Sequence, residues 1–314
     1  MGQPPPQSSV FVQPMTRFEH RPLAPDNVRP RRTTFSFPSS IPKYWLAGNV
    51  VETHFFNAIN LFVVSFEDFM GRVMRARLPQ LREKDPAFER QVRGFMGQEA
   101  THSFVHAKYL QNIKEHGFQV DDYLARCEHV FSHWFERRLG TRLCLATIAG
   151  FEHLTSVLAE LILAGRMMEG ADPVMAEVWE WHAAEEIEHK TLAFELLKAT
   201  HPSFLLRMVG AVLGALVVFG FIGVGLVMLL RQERLLWRKQ TWTELKGLLF
   251  GRVRLVPRLL SLFVQYFRPG FHPLQQDTYY LAEQVFGRSQ PREEIVLQVS
   301  LEDVEPPRAS KSAP

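Results

Sequence analysis

Residues 179–189 read Trp179-Glu180-Trp181-His182-Ala183-Ala184-Glu185-Glu186-Ile187-Glu188-His189, and they contain the pattern Glu-x-x-His. The same pattern occurs earlier in the 314-residue chain as Glu99-Ala100-Thr101-His102. Residues three and four apart share one face of an α-helix, so each pattern places a carboxylate beside an imidazole. A further histidine lies on the same face of each predicted helix, His106 in the first and His182 in the second.

A glutamate precedes each pattern at a similar distance. Glu67 lies 32 residues before Glu99, and Glu152 lies 34 residues before Glu186. A helix, a turn and most of an antiparallel helix need about this many residues, so the two members of each pair reach similar heights in a bundle. The doubled spacing predicts a four-helix bundle with its carboxylates and imidazoles facing inward.

These side chains are typical of dinuclear metal sites in helical bundles. Carboxylates bridge hard cations and neutralise their charge, while imidazoles leave open positions on each metal. We therefore expect two metal ions, with iron favoured over manganese and zinc. The predicted metal ligands are Glu67, Glu99, His102, His106, Glu152, Glu186 and His189.

Some of these assignments have alternatives. A single Glu-x-x-His is usually a solvated helix face, and it is the repeated spacing with apolar neighbours that indicates metal. Asp68 is an alternative to its neighbour Glu67. His106 and His182 are either ligands or groups that orient the ligands. Glu185 and His182 are the candidates for catalytic proton transfer.

The bulk composition narrows the class of protein. With 46% hydrophobic and 22% charged residues, the chain is globular, and its net charge of +3 gives no basic face for nucleic acid. Cys127 and Cys144 have neither the spacing of a zinc ribbon nor that of a disulfide framework, which favours a reducing compartment. The first residues lack the apolar core of a signal peptide, so we expect a cytoplasmic bundle.

Proline content and helical periodicity divide the chain into four predicted parts. They are a Pro-rich extended or disordered arm (1–43), the metal-binding helical bundle (44–203), membrane-associated helices (204–267), and a turn, short helix and polar tail (268–314). The helices are expected at about 50–77, 86–116, 121–138, 139–169 and 173–199, and no segment has the alternation of a strand.

A long apolar segment follows the bundle. Residues 208–230 carry no charge over 23 positions; at ~1.5 Å per residue they span roughly 34 Å, enough to cross a bilayer. A buried core helix of a soluble protein is the alternative. Gly210 and Gly214 would allow another helix to approach closely.

The charges that flank this segment do not agree with a cytoplasmic bundle. Arg231, Arg234, Arg238 and Lys239 would place the C-terminal flank in the cytoplasm as well. A hairpin or monotopic insertion resolves the conflict, with residues 245–267 lying in the membrane interface. We expect membrane lipid and a small apolar substrate as partners, no nucleic acid, and we allow a homodimer.

The sequence resembles the bacterial family of predicted metal-dependent hydrolases, a ferritin-like group, over about residues 45–285. The resemblance depends on three motifs: the stretch from Gln98 to His106, the stretch from Trp179 to Lys190, and Pro269-Gly270-Phe271-His272-Pro273. It implies an all-α, ferritin-like four-helix bundle with a di-metal carboxylate site. The family's first glutamate follows a glycine, whereas Phe66 precedes Glu67 here.

Three functions are consistent with these observations. The first is O₂-dependent oxidation of an apolar substrate by a di-iron site, which the motif chemistry favours. The second is hydrolysis by a metal-bridging water, which the family's description implies. The third is a membrane protein that binds metal without catalysis.

Overall fold

The computed structural model describes residues 28–288, and the predicted Pro-rich arm before residue 28 and polar tail after residue 288 lie outside the described residues. Between these limits the chain is helical, and its only β-type pairing is one isolated bridge between Leu46 and Ala171. The all-α class predicted from the sequence is confirmed, and a ferritin-like bundle fits within it. The predicted domain boundaries stay predictions.

The helices follow one another with short connections. In chain order they are α1 (Val50–Arg75), α2 (Leu78–Lys84), α3 (Pro86–Glu115), α4 (Asp121–His129), a π-helical segment (Val130–Leu139), α5 (Gly140–Ala164), α6 (Pro173–His189), α7 (Leu192–Thr200), α8 (Phe204–Gln232), α9 (Lys239–Phe250), α10 (Leu255–Tyr266), a 3₁₀ turn (Pro273–Gln275) and α11 (Tyr279–Arg288).

Side-chain caps mark the start of the two helices that carry the Glu-x-x-His patterns. Asp85 and Asp172 accept hydrogen bonds from the first free backbone N–H groups of α3 and α6, and a proline follows each of them. Asn49 caps α1 in the same way. The predicted helix over 173–199 is interrupted at Lys190 and Thr191, so that α6 ends at His189 and α7 begins at Leu192.

Four helices enclose the core. Helix α1 packs against α3, and α5 packs against α6. Phenylalanines from α1 and α5 fill the space between the pairs; the rings of Phe66 and Phe151 lie 3.9 Å apart between centroids, and both are buried. This aromatic core fixes the spacing of the four helices that carry the predicted ligands.

Helix α8 lies across α1 and α5. Glycines make this crossing close: an added Cβ at Gly150 would lie 2.5 Å from Ala211 Cα, and one at Gly210 would overlap the Ala146 backbone. Gly214 meets the same part of α5. The close helix contact expected of Gly210 and Gly214 is therefore present, within the chain itself.

Two helical segments are long and apolar enough to cross a membrane, judged by length and composition alone. The first, Asp121–Ala164, is 83% buried in its most apolar window, as a core helix of a soluble protein would be. The second, Phe204–Gln232, is only 33% buried. Of these two segments, only α8 leaves most of its apolar window exposed.

Residues 28–43 form no helix and lie against the bundle. Val28, Phe35 and Ile41 are buried. Val28 sits so close to Gly94 of α3 that a Cβ there would overlap the Val28 carbonyl. This part of the chain, which we call the strap (residues 28–43), is thereby held next to α3.

Candidate metal centre

Six of the predicted ligands lie together between α1, α3, α5 and α6. Helix α1 supplies a glutamate, α5 supplies another, and α3 and α6 each supply a glutamate and a histidine. None of these six residues has more than 3% of its surface exposed; they are Glu67, Glu99, His102, Glu152, Glu186 and His189. That they bind metal stays a prediction, but the geometry required for it is present.

The ligand atoms of this cluster converge on two overlapping points. One ligand atom each from Glu99, His102, Glu186 and His189 lie within 4.8 Å of one another. The same holds for Glu67, His102 and His182. Within the first group, His189 Nε2 and Glu99 Oε1 lie 2.9 Å apart. Groups of this composition and size could hold metal ions.

The donor atoms also lack well-formed hydrogen bonds to protein groups, which is a direct test of fit. Each of the six side chains has one buried atom of this kind: Glu67 Oε2, Glu99 Oε1, His102 Nδ1, Glu152 Oε1, Glu186 Oε2 and His189 Nε2. Among them, Glu99 Oε1 has ion-pair contacts with His102 Nδ1 and His189 Nε2. Each unsatisfied buried polar atom costs about 1–3 kcal/mol. Divalent cations would satisfy all of them, so the residues fit bound metal.

The electrostatics of the metal-free cluster agree with this. Burial and the Glu99 carboxylate raise the pKa of Glu67 well above its ordinary value. Burial opposes ionisation of Glu99 too, yet His102 and His189 lower its pKa. Burial would also lower the pKa of both histidines, but neighbouring carboxylates raise it well above the ordinary value. In the metal-free cluster, protonated imidazoles thus neutralise the negative charge of the carboxylates. Bound cations would do the same.

An outer carboxylate fixes the orientation of His102. Its Nε2 lies 3.0 Å from Glu185 Oε2, which leaves Nδ1 facing the cluster. Glu185 is fully buried and accepts a hydrogen bond of 2.9 Å from Arg31 in the strap. Arg31 also binds both carboxylate oxygens of Glu188, at 2.6 Å each. The role of Glu185 in catalytic proton transfer stays a prediction; its contacts are those of a group that orients a ligand.

The two extra histidines have different surroundings. His106 Nδ1 lies 2.7 Å from Asn60 Oδ1, and its Nε2 lies 2.8 Å from His182 Nδ1, so both ring nitrogens are engaged by protein groups. His182 Nε2 points toward the cluster, 3.2 Å from Glu186 Oε1. His182, rather than His106, therefore faces the cluster, and His106 contacts both His182 and Asn60.

The remaining alternative concerns Glu67 and Asp68. Glu67 is buried and belongs to the cluster, whereas its neighbour Asp68 points about 100° away around α1 and is exposed. Of the two, only Glu67 is placed to act as a ligand.

Aromatic rings close the site against water. Trp181 meets His102 edge-on with ring centroids 5.0 Å apart, and Phe95 lies 4.5 Å from the His189 ring. Trp179 packs on His106 at 5.4 Å. A low-dielectric surrounding strengthens every charge interaction inside the cluster.

The fold and the site together define an all-α protein with a buried carboxylate–histidine cluster that could hold metal ions. The family model described as predicted metal-dependent hydrolase matches residues 29–277, so the chain belongs to this family. The match includes the part of the strap that holds Arg31 as well as the four site helices. No curated protein and no solved structure matches the chain.

Proposed function

We propose that the protein is a dinuclear-metal enzyme, loaded with iron, that oxidises an apolar substrate with O₂. The observation that carries this proposal is the set of six unsatisfied buried donor atoms, contributed by four helices in two similar halves. Four carboxylates with two or three imidazoles are a donor set typical of iron and manganese pairs in helical bundles. The two convergent groups that share His102 support two metal positions.

The protein residues have separable roles in this proposal. Glu67, Glu99, His102, Glu152, Glu186 and His189 would hold the metal ions. Bound iron would supply the electron transfer to O₂ that no side chain here provides. Glu185 orients His102. A hydrogen bond of 2.8 Å joins His106 Nε2 and His182 Nδ1, so the other nitrogen of His182, Nε2, faces the cluster.

The apolar substrate is inferred from the surface beside the site helices. Helix α8 exposes a row of apolar side chains, which are Leu205, Val209, Val212, Leu216, Phe219, Val224 and Val227. Exposed apolar areas of this extent mark interaction surfaces. We propose that this face contacts membrane lipid, that the catalytic bundle stays on the cytoplasmic side, and that the substrate partitions from the lipid.

The second candidate is a metal-dependent hydrolase, which the family's description favours. In that case a metal-bound water of lowered pKa would attack an ester or amide. His182 is the residue placed to hold the proton, since its Nε2 faces Glu186 and its Nδ1 contacts His106.

Anaerobic reconstitution separates these functions. Protein loaded with ferrous iron should consume O₂ faster than free ferrous iron does, and Glu186→Gln should lose this activity. Glu177→Gln, on the exposed side of the same helix, is the matched control. Uptake equal to that of free iron would contradict the oxidase proposal. Hydrolysis of ester substrates without O₂ by zinc- or manganese-loaded protein would support the second candidate.

A further inference from the structure

A cleft of about 400 Å³ lies away from the metal centre, where α7, the start of α8 and the turn after α10 meet. The first four residues of the motif Pro269–Pro273, which the metal centre does not use, form one wall. The ionisable side chains that line the cleft are basic or neutral: Lys198, His201, Arg207 and His272. No aspartate or glutamate is among its described lining residues.

Arg207 is a buried cation without a carboxylate partner. Only 8% of its surface is exposed, and no carboxylate of residues 28–288 lies within ion-pair distance of its guanidinium, which contacts the rings of Phe194, Phe204 and Tyr266. Its terminal nitrogens donate to the carbonyls of Arg268 and Phe271, at 2.6 and 3.4 Å, while Nε has no partner. Buried charges are normally paired with an opposite charge. The Arg207 guanidinium is an exception, since it lacks a counterion among the described residues.

Other groups of the cleft add to the positive potential. Lys198 is exposed at the rim and forms an ion pair of 3.7 Å with Glu195, whose carboxylate is also hydrogen-bonded to His272. The buried Nε2 of His201 has no hydrogen-bond partner. Ser203 caps α8, and the N-terminus of this 29-residue helix carries a partial positive charge.

We propose that this cleft binds a phosphate group. A phosphate oxygen is the acceptor that a guanidinium and an ammonium bind most readily, and it would supply the missing counterion of Arg207. The surroundings favour a lipid headgroup as the source, because Phe204, which lines the cleft, and its chain neighbour Leu205 expose 47% and 71% of their surfaces. Acyl chains would then follow the exposed apolar row of α8. The proposal does not depend on the reaction at the metal centre.

Calorimetric titration of the full-length protein tests this site with two probes, inorganic phosphate and dihexanoyl phosphatidic acid below its micelle concentration. We expect saturable binding of the wild type. Lys198→Gln should weaken binding about tenfold, since a charge-assisted hydrogen bond contributes on that scale. Lys246→Gln, an exposed lysine of α9, is the matched control and should leave binding unchanged.

Arg207→Gln should remove binding, and Arg207→Lys should recover part of it. Circular dichroism of the same samples shows whether a variant has kept its helical fold, and it does so whether or not the metal centre is occupied. Tighter binding of the lipid than of inorganic phosphate would identify a lipid headgroup; equal affinities would identify a soluble phosphate compound, and both support a phosphate site. The absence of saturable binding to the wild type, or equal losses in Lys198→Gln and Lys246→Gln, would overturn it.

Discussion

His102 Nε2 and Glu185 Oε2 lie 3.0 Å apart, and both side chains are fully buried. This contact settles which ring nitrogen of His102 faces the cluster. The same carboxylate accepts a hydrogen bond from Arg31, so the strap is joined to a predicted metal ligand, His102, through Glu185. The strap therefore contributes a residue, Arg31, to the contacts that orient His102.

Glu185→Gln should weaken metal binding about tenfold to a hundredfold, the range usual for groups that orient a metal-bound histidine. The amide keeps the size of the side chain but removes the charge that makes the imidazole a better donor. Competition with a chromophoric chelator measures the affinity. Glu177→Gln on the exposed face of α6 should have no effect. An affinity for Glu185→Gln equal to that of the wild type would show that Glu185 does not support His102.

Arg31→Ala should lower the free energy of unfolding by about 1–3 kcal/mol, because it leaves the carboxylates of Glu185 and Glu188 without their counterion. The cost stays below that of breaking a fully buried pair, since 32% of the Arg31 side chain is exposed. Urea denaturation of the metal-free protein measures it. Arg32→Ala, at the neighbouring exposed position, is the control; equal losses in the two variants would remove the special role of Arg31.

Metal affinity should rise with pH. In the metal-free protein, nearby carboxylates raise the pKa of His102 and His189 well above the ordinary value despite burial, so these nitrogens hold protons that the metal must displace. Below the raised pKa, each displaced proton increases the apparent affinity about tenfold per pH unit. Above that pKa the histidine is already neutral, and the affinity no longer depends on pH. Affinities at pH 6, 7 and 8 should increase in that order. A pH-independent affinity would contradict protonated histidines.

Gly150→Ala should destabilise the protein by about 1–3 kcal/mol, because the new methyl group would meet Ala211 where α5 and α8 cross. Gly220→Ala on α8 is the control, since nothing lies within 4 Å of an added Cβ there. It should be neutral or stabilising by up to about 1 kcal/mol, owing to the better helix propensity of alanine. Thermal unfolding in detergent-free buffer compares the two. A tolerated Gly150→Ala would mean that α8 is not held closely against α5.

The helices and the six clustered residues could be predicted from the sequence because both depend on local patterns. Glu-x-x-His places two donors on one helix face, and Pro86 and Pro173 mark where α3 and α6 begin. The spacing of each upstream glutamate then follows from the length of an antiparallel helix pair. None of these signals requires knowledge of how distant parts of the chain meet.

What the sequence could not show depends on contacts between distant segments. Arg31 lies 154 residues from Glu185 and sits in a Pro-rich stretch without periodicity. Asn60, which binds His106, has no feature that distinguishes it from other polar residues of α1. The choice between His106 and His182 follows from these partners, and so it could not be made from helical spacing alone.

The break between α6 and α7, after His189, could not be predicted from the sequence either, because apolar residues continue with helical spacing through α7. In the structure, Lys190 is buried and donates to the Gln276 carbonyl and to Thr278, which ties this position to the segment before α11. Such a contact gives no local signal, and a single helix over 173–199 was the natural expectation.

The most direct test of the proposed dinuclear centre is the metal content of protein purified with its native metals, measured for the wild type, Glu99→Gln and Glu186→Gln. We expect close to two metal ions per wild-type chain and a large loss in both variants, with Glu177→Gln unchanged. Wild-type protein with almost no metal, or variants that keep the full content, would contradict it.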